Sequence, residues 1–129
     1  MIFLDTSAIY ALADRADPNH AAALDKFQQI LADGEILLLH NYILIESAAL
    51  IQGRLGLHPA LLFLSDAKAF EVEWVDSSLH EEAQRELAAI GRRGVSLVDC
   101  TSFVVMRRRG VRRVFAFDPD FREQGFTIY

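Results

Sequence analysis

Apolar positions come in short clusters separated by charged or glycine-containing breaks. Ile2-Phe3-Leu4 is a brief apolar run stopped by Asp5, and an apolar segment resumes at Ser7. The pattern predicts a buried strand, a junction at Asp5 and a helix from Ser7 onward. Asp17-Pro18 places a capping side chain before a proline at a first helical position. Leu24, Phe27, Ile30 and Leu31 then recur at helical spacing until Gly34. Glu35 to His40 is nearly continuous in apolar residues, as in strands buried on both faces. Asn41 is the expected cap of a third helix reaching about Leu55, and Pro59 lies near the start of a fourth ending about Phe70.

Val72, Trp74 and Val75 mark another strand. Ser78-Leu79-His80-Glu81 fits a capping box before a helix ending at Gly91, and Ser96-Leu97-Val98-Asp99 offers the same start to a helix ending at Gly110. Val114 to Phe117 reads as a fourth strand and Phe126 to Tyr129 as a short fifth. Strands separated by helices need right-handed crossovers, which place helices on both faces of the sheet. The expected fold is therefore an α/β three-layer sandwich around a mostly parallel sheet of four to five strands. With no internal repeat or long linker, residues 1–129 are expected to form a single domain.

Composition narrows the function classes. A chain of 129 residues with 52% hydrophobic content suffices for one buried core. No run approaches the roughly 18 apolar residues of a membrane span, and Asp5 interrupts any secretory apolar region, so a cytoplasmic protein with no membrane partner is expected. Cys100 stands alone and His20, His40, His58 and His80 are far apart, which argues against a disulfide and against zinc. The net charge of −5 hides an asymmetry. Arg92, Arg93, Arg107, Arg108, Arg109, Arg112 and Arg113 face only Asp99 within residues 92–113, leaving that stretch at +6 and the remainder at −11. Arg107, Arg108, Arg109, Arg112 and Arg113 are candidate RNA-phosphate contacts, against the alternative of a helix end complementing its dipole.

Four acids fall where strands end or helices begin. Asp5 follows the first strand, Asp118 follows the fourth, Glu46 lies within two turns of the start of the third helix, and Asp99 lies in the first turn of its helix. Open parallel sheets bind ligands outside their carboxyl edge, so these segments can deliver carboxylates to one pocket. Asp5 alone reads equally as a helix cap. Glu46 is the only charged residue between Asn41 and Ile51, in a helix expected to be buried nearly all round. It therefore needs a cation, an arginine partner or a water-filled cleft. Clustered carboxylates repel one another, and a hard divalent ion with oxygen ligands, Mg²⁺ or Mn²⁺, is the usual remedy.

These residues resemble the PIN-domain nucleases, especially the VapC-type toxins of bacterial toxin-antitoxin pairs. The resemblance rests on Phe3-Leu4-Asp5-Thr6-Ser7, Glu46, Asp99-Cys100-Thr101-Ser102 and Phe117-Asp118-Pro119-Asp120-Phe121, in that order and over nearly the whole chain. It implies a PIN-like fold and an Mg²⁺- or Mn²⁺-dependent endoribonuclease whose catalytic acids are Asp5, Glu46, Asp99 and Asp118. Hydrolysis would leave a 5′-phosphate and a 3′-hydroxyl. Asp5, Asp99 and Asp118 are the implied metal ligands, with Glu46 and Asp120 as further candidates, and Thr6 and Ser102 are the implied supporting hydroxyls. An RNA substrate, a cognate antitoxin and a homodimer follow from the same resemblance. Phe117 departs from the family, which often carries a hydroxyl there, and Asp120 adds a second acid. Pro119 favours a turn in which only one of Asp118 and Asp120 reaches the metal, and Asp118 is preferred.

Rival readings fit less well. A signalling receiver domain needs an adjacent acidic pair after an early strand, and an aspartyl-phosphate phosphatase needs a second Asp where Ser7 stands. A non-catalytic PIN-like scaffold binding RNA or protein is the remaining alternative, yet every expected acid is in place.

Overall fold

The structure, a computed structural model, describes all residues from Met1 to Tyr129. Five strands form one sheet: β1 (Ile2–Leu4), β2 (Leu37–His40), β3 (Glu71–Glu73), β4 (Arg113–Phe115) and β5 (Thr127–Ile128). They lie in the order β3-β2-β1-β4-β5, and every pairing is parallel. The helices are α1 (Thr6–Ala13), α2 (His20–Ala32), α3 (Asn41–Leu55), α4 (Leu57–Asp66), α5 (Ser77–Ile90), α6 (Leu97–Arg109) and α7 (Asp120–Glu123), with one 3-10 turn at Ala67–Ala69. The expected sandwich is present, and its sheet is wholly parallel.

Strand order steps one way from β1 to β3, then reverses to reach β4 and β5. Right-handed crossovers therefore put α1 to α4 on one face and α5 to α7 on the other. The reversal falls between β1 and β4, so the chain leaves their carboxyl ends toward opposite faces and opens a crevice between them. Asp5 follows β1 directly and Asp118 lies three residues past β4.

Ile2, Phe3, Leu38, Leu39, Val114 and Phe115 are fully buried in the middle of the sheet. In α6 every residue from Cys100 to Met106 is buried, because the helix is wedged between sheet, α5 and α7; Phe103 stacks edge-on against Phe121 at 5.2 Å.

Several ends differ from expectation for local reasons. Pro18 lies in a turn before α2, where Asp17 accepts the Asn19 N–H at 2.8 Å, so Asp17 makes an Asp turn and the helix begins two residues past the proline. His40, not Asn41, caps α3 through Nδ1, and Asn41 instead accepts the Val75 N–H at 2.6 Å. Asp76, not Ser78, caps α5 by accepting from Leu79. Trp74 and Val75 fall outside β3, a three-residue edge strand. The boundaries of α6 match: Ser96 and Asp99 make both capping-box bonds, and Gly110 ends the helix at φ 65°. Helix α3 is not buried all round, since Ile45 is 66% exposed.

Candidate active site

Asp5 caps α1 and is 5% exposed. Its Oδ2 accepts the Ser7 backbone N–H at 3.0 Å and the Ser7 hydroxyl at 2.6 Å, which leaves Oδ1 without a protein partner. The same Ser7 hydroxyl accepts the Phe117 N–H at 2.9 Å. Ser7 thus ties the start of α1 to the loop after β4 and holds the segments bearing Asp5 and Asp118 together. Burial, opposed by the Ser7 bonds and aided by the charges of Asp99 and Asp118, pushes the Asp5 carboxyl up to about 6.

Asp99 reaches the same edge from the first turn of α6. Its Oδ2 accepts the Ser96 N–H at 2.9 Å, and partial burial raises its pKa. Past β4 the chain turns at Pro119, where Asp118 Oδ1 accepts the Asp120 N–H at 2.9 Å. Carboxylate oxygens of Asp99, Asp118 and Asp120 all lie within 4.8 Å of one another. The turn therefore presents both acids, and not one alone as its proline suggested. They are not equivalent: Asp120 Oδ1 is held by Arg92 Nη2 at 3.2 Å, whereas Asp118 has no cationic partner. Burial and the neighbouring Asp118 raise the Asp120 pKa against the opposing pull of Arg92.

Glu46 stands apart. It is half-buried one turn into α3, makes no ion pair and does not join the group within 4.8 Å, so the arginine partner considered for it is absent. With α3 exposed along one side, its carboxylate can stay hydrated without one.

The supporting hydroxyls are redistributed. Thr6 makes no hydrogen bond to the acids and accepts the Ser47 hydroxyl at 3.2 Å between α1 and α3. Ser7 holds Asp5 instead, a role legible from capping geometry because an N-cap carboxylate accepts from residues two or three further on. Ser102 touches none of the acids. It accepts from His40 Nε2 at 2.9 Å and donates to the Val98 carbonyl at 3.1 Å. His40 Nδ1 accepts the Ile43 N–H, so the proton lies on Nε2, and burial depresses the ring to about 3.

The arginines proposed to meet RNA lie at the opposite, amino edge of the sheet. Arg107 pairs with Glu86, Arg108 with Glu82, Arg109 with Glu71 and Glu73, and Arg113 with Glu35. Four of the five are thus engaged with acids of neighbouring elements, and only the exposed Arg112 has no partner. Most of the charge of this run is thus matched in space by acids of neighbouring elements.

The donor set suits a hard divalent cation: carboxylates only, an unpartnered oxygen on buried Asp5, and a single arginine that contacts one acid of four. Cys100 is no competitor as a nucleophile, because it is fully buried and burial pushes its thiol up to about 11.

The family model for the PIN domain matches residues 2–126. A 23S rRNA-specific endonuclease, VapC20 of Mycobacterium tuberculosis, is 34% identical over 130 residues, covering 98% of this chain and 96% of that protein. The ribonuclease VapC26 of the same organism is 24% identical over 119 residues, covering 91% and 86%. A crystal structure of M. tuberculosis VapC20, described as a sarcin-ricin loop cleaving toxin, matches with a TM-score of 0.87 and 32% identity over 98% of this chain and 97% of that one.

Proposed function

The chain belongs to the PIN-domain family, and from that premise we propose that it is a VapC-type toxin endoribonuclease, hydrolysing RNA phosphodiesters with a divalent ion, Mg²⁺ or Mn²⁺. The observation that carries this reading is the convergence of Asp99, Asp118 and Asp120 within 4.8 Å, with Asp5 electrostatically coupled to two of them. Bound among these oxygens, a divalent ion supplies water activation and neutralises charge on a scissile phosphate.

The chain's own residues do the rest. Asp99 and Asp118 would hold the ion, and Asp5, which lies outside the group within 4.8 Å, would reach it through the oxygen that Ser7 leaves available. Asp120 divides its carboxylate between this cluster and Arg92. Glu46, uncommitted to any cation but outside that group, would join the ligand set only if an ion drew α3 toward it.

Ribosomal RNA, and the sarcin-ricin loop first, is the substrate to test, given the name of the 34%-identical relative and the description of its crystal structure. An antitoxin partner is supported by an apolar groove of about 360 Å³ whose lining includes Leu12, Leu24, Phe27, Leu62 and Phe63, beside exposed Leu57 and Leu61. A homodimer is part of the same proposal, to be read by light scattering.

End-labelled ribosomal RNA incubated with the protein should be cut in Mg²⁺ or Mn²⁺ and left intact in EDTA. Asp99→Asn, which keeps a capping acceptor but removes a charge, should slow cleavage at least about a hundredfold, the scale of losing a preorganised electrostatic group. Undiminished cleavage in EDTA would overturn the metal-dependent reading, and undiminished cleavage by the variant would overturn the site.

A further inference from the structure

An acidic pocket is a poor place for RNA. The four carboxylates of Asp5, Asp99, Asp118 and Asp120 carry up to four negative charges, more than one divalent ion cancels, and a phosphodiester adds another. Some cation of the protein must meet the RNA backbone at the rim, and the arginine run from Arg107 to Arg113 lies at the opposite edge of the sheet.

Of the ion pairs in the structure, only that of Arg92 includes a member of the acidic group. Arg92 lies in the segment between α5 and α6, just ahead of the turn that carries Asp99. Gly91 and Gly94 flank Arg92 and Arg93, and the Val95 N–H closes a turn on the Arg92 carbonyl at 3.2 Å. Its contacts to Asp120 (3.2 Å) and Glu123 (2.7 Å) both use Nη2, so Nη1 and Nε carry no protein partner. The side chain is 48% exposed, and Arg93 beside it is exposed and unpaired. A guanidinium anchored at one nitrogen and open at the others is prearranged to bind a phosphate oxygen, since its planar fork keeps its orientation while its free donors face solvent.

We propose that Arg92, with Arg93 next to it, binds a backbone phosphate of the RNA at the rim of the acidic pocket. Arg92 then does two things. It screens Asp120 and Glu123 from the incoming backbone, and it sets the strand's register relative to the acids. This inference rests on the reading that the chain cleaves RNA.

The test is binding, measured in Mg²⁺ in the Asp99→Asn background so that the RNA stays intact. A fluorescent sarcin-ricin stem-loop RNA is titrated over a series of KCl concentrations. Arg92→Gln should weaken binding about threefold to tenfold, and its log-log salt dependence should be shallower by about 0.7 to 0.9, the loss of one phosphate contact. Arg92→Lys should restore the slope while recovering only part of the affinity, because it keeps the charge and loses the fork. Arg93→Gln should give a smaller change in the same direction, and Arg108→Gln at the far edge none. If Arg92→Gln and Arg93→Gln both keep the parent's slope, the inference is wrong while the nuclease reading stands. If the protein with Asp99 intact neither binds nor cuts RNA in Mg²⁺, the nuclease reading fails and the inference with it. Loss of binding in Arg92→Gln with an unchanged slope and no rescue by lysine would mark Arg92 as a structural clamp and overturn its role at phosphate.

Discussion

Asp5 shows how one side chain serves two ends. As a cap it satisfies Ser7 N–H, and as a buried acid held near two others it resists ionisation, so its carboxyl sits at about 6 against 3.8 ordinarily. A raised carboxyl pKa means that the folded chain binds the proton more tightly than the unfolded chain. The metal-free protein therefore keeps the associated stability below about pH 4 and loses it as pH rises through about 6. The shift from 3.8 to about 6 corresponds to about 3 kcal/mol between those limits. Asp5→Asn keeps an acceptor for Ser7 and has nothing to ionise. In urea unfolding with EDTA, wild type should lose stability relative to Asp5→Asn by about that amount between pH 4 and pH 7. Parallel curves for the two proteins would show that Asp5 is an ordinary solvated cap. The dual role was half legible: position five signalled a cap and a sheet-edge acid, but Ser7 as the group holding it was not distinguished from Thr6. Adjacent hydroxyls look alike by residue type, and only the two-residue offset of an N-cap acceptor tells Ser7, turned toward Asp5, from Thr6, which meets Ser47.

Among elements, helices announced themselves by period and ended where glycine or a capping box stood, as at Ser96 and Gly110. Starts set by tertiary contacts were not legible. His40 caps α3 because its ring is locked between Ile43 N–H and Ser102, a residue 62 positions away, and that frees Asn41 to receive Val75. Helix α7 was hidden because its four residues carry no period of their own and are held by Phe121 in the core. The His40 bonds join the end of β2 to the first turns of α6, the helix that presents Asp99. With its pKa depressed to about 3, His40 contributes stability that is complete above its unfolded value near 6.5 and is lost as pH falls toward 3. This is opposite in sign to Asp5, so the two contributions oppose each other in wild type. His40→Gln should cost about 1–3 kcal/mol at pH 7, the scale of leaving buried partners unsatisfied, and should remove acid sensitivity between pH 6.5 and pH 4. Unfolding curves of the variant that retain the wild-type slope over that window would exclude His40 as its source.

Over the whole molecule, charge is sorted by sheet edge. Acids that, Asp120 apart, have no cationic partner gather at the carboxyl edge beside the reversal of strand order, while arginines at the amino edge hold α6 and β4 to neighbouring acids through exposed pairs of the kind that add little to stability. The parallel sheet and an acid-bearing carboxyl edge followed from the alternation of strands and helices, whereas the strand order that places the reversal between β1 and β4 did not. The fate of the arginines did not, because a charge run in sequence says nothing about which acids fold against it. If acids from separate segments form one divalent-ion site, thermal unfolding at neutral pH must register the ion. Wild type, Asp99→Asn and, as a far-edge control, Arg108→Gln are melted after EDTA treatment and across a series of MgCl₂ concentrations. Without metal, Asp99→Asn should be as stable as wild type or more so, since a repelling charge is gone. With metal, wild type and Arg108→Gln should rise together, by about 2.7 kcal/mol at a hundredfold excess over Kd, and Asp99→Asn should respond less. A wild-type melting temperature that stays flat across the whole series, with Asp99→Asn markedly destabilised in EDTA, would contradict the shared site and leave four unrelated acids.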